Sequence, residues 1–160
     1  MMVRLVFALV FLVFYGCGYK PANKTGVKKE VYCIKSIKFP RAEATALDVF
    51  TRSVSDAIIS SGNTLECSGK TTRFVEVYVK SLRITPIGYS AAQRASIYRV
   101  AVNLDFIVEN RKNEVVFKKS ISEMAQYTGT GLSGDVERRY AVEEVGRLVS
   151  LRIFSILTDQ

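Results

Sequence analysis

Four groups of residues stand at spacings that chemistry could use in this 160-residue chain. Cys17 follows Gly16 directly behind the apolar run of residues 5–15, and Arg4 supplies one cation ahead of that run. The loop "GTGLSG" (129–134) matches the phosphate-cradling pattern G-x-G-x-x-G. Asp48, Asp56, Glu76, Asp105, Glu109 and Glu123 are the carboxylates to consider for general acid or base work. In the stretch "RITPIGYSAAQRASIYRV" (83–100), Arg83, Arg94 and Arg99 flank Ile87 and Tyr89. Arginine and aromatic side chains together are enriched where proteins bind partners.

The chain has no histidine, which removes the most common general base and metal ligand together. A Ser-Lys dyad would be the remaining hydrolytic option, and no Ser-x-x-Lys occurs. The carboxylates fall on helix caps, strand exteriors and strand ends, with no pair that spacing brings together. The dinucleotide fingerprint needs a strand after its helix and an acid about twenty positions on. No residues here supply them, so the glycines of 129–134 read as a turn into a helix. Cys33 and Cys67 fit no zinc spacing. They form either a disulfide closing a loop of 34 residues, stabilising the fold by roughly 3–4 kcal/mol, or two buried thiols. The sequence therefore predicts no enzyme, no cofactor and no metal site.

The chemistry at Cys17 is of another kind. A membrane-spanning helix needs roughly 20 apolar residues, and residues 5–15 are too few. A charged start, a short apolar core and a small residue at the cut make a signal peptide. A glycine before the cut and a cysteine after it give the form in which diacylglycerol is attached to the cysteine sulfur. Phe14 and Tyr15 depart from the Leu and small residue usual at those places. Two or more acyl chains anchor stably where one holds only marginally. The expected organisation is a signal peptide over 1–16, a lipidated tether over 17–30 and one domain over 31–160. Gly18, in place of an aspartate that would favour inner-membrane retention, directs the expectation to the outer membrane.

Beyond the tether, the elements must position whatever the domain binds. "VYCIKSIKF" (31–39) is β-branched and aromatic, closed by Pro40. "TALD" (45–48) has capping-box form, and Leu47, Phe50, Val54, Ala57 and Ile58 recur at helical spacing up to Gly62. "RFVEVYVKSLRIT" changes phase at Lys80 and Ser81, the mark of a bulge, and Pro86 with Gly88 predicts a turn into an exposed loop holding Ile87 and Tyr89. Tyr98, Val100, Val102, Leu104, Phe106 and Val108 alternate with Arg99, Ala101, Asn103, Asp105 and Ile107, a strand with one buried face. "NRKN" (110–113) turns the chain into "EVVFKKSISEMAQY". A last helix follows from about Asp135, with Val142, Val145, Val149, Ile153 and Ile156 as its stripe and Glu143–Arg147 as an exposed pair. The order β-α-β-β-β-α predicts an α+β fold: a mixed four-stranded sheet with both helices on one face, and strand one joined through the first helix to a parallel neighbour.

The formal charge is +8, or +7 without Arg4. For an exported chain, a basic surface suits anionic headgroups or an acidic glycolipid better than nucleic acid. The "CGY" at the mature start, this element order and the "G…A…YR" run from Gly88 to Arg99 together resemble the LPS-assembly lipoprotein (LptE) family, over essentially the whole mature chain. The resemblance implies a lipoprotein of the outer membrane that binds lipopolysaccharide and plugs the lumen of a large lipopolysaccharide-transporting β-barrel (LptD-like), assisting its assembly. Lipid A carries phosphates, which arginine grips in bidentate fashion. Arg83, Arg94, Arg99, Lys118 and Lys119 are the expected lipopolysaccharide contacts, with only one of the two lysines able to face outward. Ile87 and Tyr89 are the expected partner contacts. A membrane-tethered adaptor for a cell-wall enzyme or transporter is the alternative.

Overall fold

The alternating segment becomes the inner strand of an antiparallel block in the computed structural model, which describes residues 29–40, 44–89, 95–128 and 134–159. The elements run β1 (Val31–Lys38), α1 (Ala44–Ser60), β2 (Thr64–Leu65), β3 (Arg73–Tyr89), β4 (Ala95–Glu109), β5 (Val115–Thr128) and α2 (Gly134–Thr158). They form an α+β fold around one mixed sheet of order β2-β1-β3-β4-β5. β1 is parallel to β2 and β3, and β3, β4 and β5 are antiparallel. The sheet has five strands where four were expected. β2 is two residues long, too short to show a hydrophobic period.

Both helices lie on one face, and the core fills the space between them and the sheet. Val75, Val77 and Val79 of β3 meet Val100, Val102, Leu104, Phe106 and Val108 of β4 beneath Phe50, Val54 and Ile58 of α1 and Val142, Val145, Val149 and Ile153 of α2. Leu47 was expected in the α1 stripe but faces solvent, and Ala46 and Val49 take the buried places. The helix starts at Ala44, one residue ahead of Thr45, so "TALD" lies inside it and does not cap it. On α2 the predicted stripe is buried except for Ile156, which packs at the rim while Leu157 goes in. Along the helix Glu143 pairs with Arg139 at 3.1 Å and Arg147 with Glu144 at 2.7 Å, in place of the expected Glu143–Arg147 pair.

Gly146 sets the approach of the two helices. A Cβ there would stand 2.6 Å from Val49 Cγ1 and 2.8 Å from Ser53 Oγ. The first turn of α2 is tied to the sheet by the Tyr98 hydroxyl, which hydrogen-bonds the buried Glu137. That bond holds the Tyr98 hydroxyl above the usual tyrosine range. At the opposite end, Cys33 of β1 and Cys67, just past β2, are joined by a disulfide with their Cα atoms 4.7 Å apart. The β4–β5 turn closes as expected: the Asn110 side-chain oxygen accepts from the Lys112 and Glu114 amides, and Asn113 takes φ 58°.

Candidate functional site

Among the described residues no helix lies on the second face of the sheet, and the ladder registers say what stands on it. Leu82 and Ile84 of β3 pair with Val102 and Val100, core residues of β4. Arg83 and Thr85, which alternate with them, therefore point to the open face, opposite Ala101 and Arg99. On β5, Gln126 lies opposite Arg99 and Met124 opposite Ala101. Arg83 and Arg99 are thus diagonal neighbours, about 7–8 Å apart. Both are exposed, and among the described residues neither guanidinium has an ion-pair or hydrogen-bond partner. Arg94 lies outside the described residues.

The predicted loop is instead strand. β3 continues through Pro86 to Tyr89, with register shifts around Gly88. Proline is tolerated in a strand when its missing N–H faces no neighbour. β1 stops pairing at Tyr78, so β3 has no strand on that side beyond this point. Ile87 and Tyr89 remain exposed there, Tyr89 by 65%. Gly88 leaves room for Ile97, whose Cδ1 would be 3.1 Å from a Cβ. The arginine pair is therefore bordered by Ile97, two residues from Arg99 on β4, and by Met124, opposite Ala101 on β5, an apolar rim beside two cations without an ion-pair partner among the described residues.

The middle of the open face is polar and neutral. Asn103 Nδ2 donates to Ser81 Oγ at 3.1 Å, and a shallow depression lies over Ser81, Asn103, Ser120 and Ser122. The predicted bulge is present, with the register shifting between Val79 and Ser81. Lys80 and Ser81 consequently share one side. Lys80 Nζ reaches Asp105 Oδ1 at 2.6 Å, Lys118 Nζ reaches Asp105 Oδ2 at 2.8 Å, and Ser120 Oγ donates to Asp105 Oδ1 at 2.7 Å. The hydrogen bonds from Lys118, then Lys80, then Ser120 hold the Asp105 carboxyl far below the usual carboxylate range, against the opposing effect of burial.

The lysine predictions divide accordingly. Lys118 is on the open face, with its charge engaged by Asp105. Lys119 pairs across from Phe106 and so sits on the helix face, away from the arginines. At the β1 end, Lys35 Nζ bridges Glu76 at 3.0 Å and Glu109 at 2.9 Å. The open face therefore runs from a neutralised end at β1 to an uncompensated cationic end at Arg83 and Arg99. Sequence alternation placed Arg99 outward. The engagement of Lys80 and Lys118 escaped it, because Asp105 and its two lysines come from three strands.

No family model matches the sequence, and no curated protein matches it. Solved structures do share its fold. A chain from Caulobacter crescentus CB15, provisionally classed as a lipoprotein, superposes with a TM-score of 0.57 at 11% identity, over 81% of this chain and 88% of its own. Rare lipoprotein B from Shewanella oneidensis gives 0.52 at 14% identity, over 81% and 95%. At these identities the likeness shows the fold alone; both neighbours are bacterial lipoproteins by name.

Proposed function

We propose that this protein is a lipoprotein of the outer membrane, tethered through Cys17, that binds lipopolysaccharide and serves as plug and assembly partner of a large lipopolysaccharide-transporting β-barrel. The observation that carries this reading is the pair Arg83 and Arg99, without ion-pair partners among the described residues and set beside Ile97 and Met124 on the sheet face that neither α1 nor α2 covers. A glycolipid with phosphates and acyl chains needs those two surfaces side by side. Arginine supplies fork-shaped donors for phosphate, and the apolar rim accepts hydrocarbon. A broad polar face also suits the polar interior of a large barrel. The signal-like residues 1–16, the cysteine after them and the fold shared with two bacterial lipoproteins support the membrane placement. The function is binding and delivery, without a catalytic step.

Arg83→Glu and Arg99→Glu should each weaken lipopolysaccharide binding by about tenfold or more, since a charge-assisted hydrogen bond contributes about 1.5–3 kcal/mol. Titration of purified, folded variants with lipopolysaccharide reads this directly, and unchanged affinity in both removes the arginine pair from the site. Extraction of the tagged protein from its native membranes should recover a stoichiometric β-barrel. A cell-wall synthase or transporter recovered in its place assigns the domain to the adaptor role.

A further inference from the structure

Among the described residues, three stretches of this sheet have backbone without a neighbouring strand, and two are blunted. β2 ends one edge after two residues. β3 beyond Tyr78 carries Pro86 and register shifts. β5 is different. It is the terminal strand on the other side, fourteen residues long and without proline. From 117 to 128 it pairs with β4 without a register shift. A long, regular edge presents a row of unpaired N–H and C=O groups, which is a template for another strand.

The side chains of β5 select the strand that fits. Consider a second copy laid antiparallel against β5, related by a twofold axis through Ile121 perpendicular to the sheet. Lys119 then falls opposite Glu123 of the second copy, and Glu123 opposite its Lys119. All four side chains share the helix face, since Lys119 stands across from Phe106 and Glu123 across from Val102. On the open face, Lys118 falls opposite Met124, and Ser120 opposite Ser122. The Lys118 stem would cover Met124, which is 57% exposed. Centring the pairing on Ser120 or Ser122 sets Lys119 against Ile121 or Ala125 and loses both ion pairs. Opposite charges directly across an antiparallel ladder stabilise it and like charges oppose it, so one register is favoured. Lys119 has no ion-pair partner among the described residues. Glu123 has only the distant Arg152 Nε at 4.0 Å, so both charges are available.

We propose that β5 is a homodimerisation edge: two copies join β5 to β5 around Ile121, merging their sheets, with reciprocal Lys119–Glu123 pairs fixing the register. This describes the lipoprotein away from its larger partner and does not depend on the glycolipid reading.

The test is sedimentation of the full mature lipoprotein in detergent at about 50 µM, a concentration at which a weak dimer is populated. The wild type should be dimeric. Lys119→Glu alone and Glu123→Lys alone each set like charges in opposition twice over, and self-association should weaken at least about tenfold. An equal mixture of these two variants should recover the dimer, because each chain offers the charge that the other lacks. A second readout does not depend on charge: oxidising a mixture of Ser120→Cys and Ser122→Cys chains should link one to the other. A monomeric wild type overturns the proposal, as does a mixture of folded charge variants that stays monomeric. Should a charge variant fail to fold, absence of the 120–122 cross-link overturns it equally.

Discussion

Two ammonium groups and one hydroxyl close over the Asp105 carboxylate, which is only 4% exposed. An aspartate in an unfolded chain titrates near about 3.9, and this one titrates well below that when folded. A group whose pKa is depressed by folding contributes stability above its unfolded value and loses it as the pH falls toward the folded one. Asp105→Asn should therefore be less stable than the wild type at neutral pH, with the gap shrinking from about pH 4 downward. Urea unfolding across that range measures it, and a gap independent of pH would show that the carboxylate's charge contributes nothing. The same geometry explains why Lys118 and Arg99 differ as ligand candidates although both face outward. Lys118 would have to leave Asp105 before it could hold a phosphate, whereas Arg99 has no side-chain partner among the described residues.

Among the elements, the two helices depend on one small residue. Gly146 of α2 rests against Val49 and Ser53 of α1, and the branched Val49 side chain has little freedom to turn aside. Gly146→Val should destabilise the domain by about 1–3 kcal/mol through overpacking, read as a lowered urea midpoint at unchanged slope. An unchanged midpoint would mean that the helices separate at no cost. Much of the element level was legible beforehand. The alternation of residues 98–108, the phase change at Lys80 and Ser81, and the α2 stripe are local periodicities. The errors have local causes too. Pro86 and Gly88 are turn residues by type, but β3 lacks a neighbour on one side at that point, so a strand can keep them. Leu47 and Ala46 are adjacent on α1, and only the direction from which the sheet approaches decides which is buried.

At the scale of the whole molecule, the proposed membrane attachment rests on Cys17, which lies outside the described residues. Among those residues, no helix is long and apolar enough to cross a membrane. Cys17→Ser should release the protein from membranes and remove the acyl mass from its mature N-terminus, as fractionation and intact-mass measurement would show. A variant that remains membrane-bound at its unprocessed mass would make residues 5–15 an anchor and not a signal. The glycine–cysteine junction after the apolar run, the missing histidine, the basic charge and the order of the helices and the four long strands were all decided by the sequence itself, because each is carried by residue type or by spacing along the chain. The tertiary structure alone decided that β1 lies between β2 and β3, that Cys33 is joined to Cys67, that Asp105 engages Lys80 and Lys118, and that Arg83 and Arg99 stand on one open face without a partner among the described residues. Each of those depends on the register between strands far apart in sequence, and a one-residue slip in such a register would send every side chain to the opposite face.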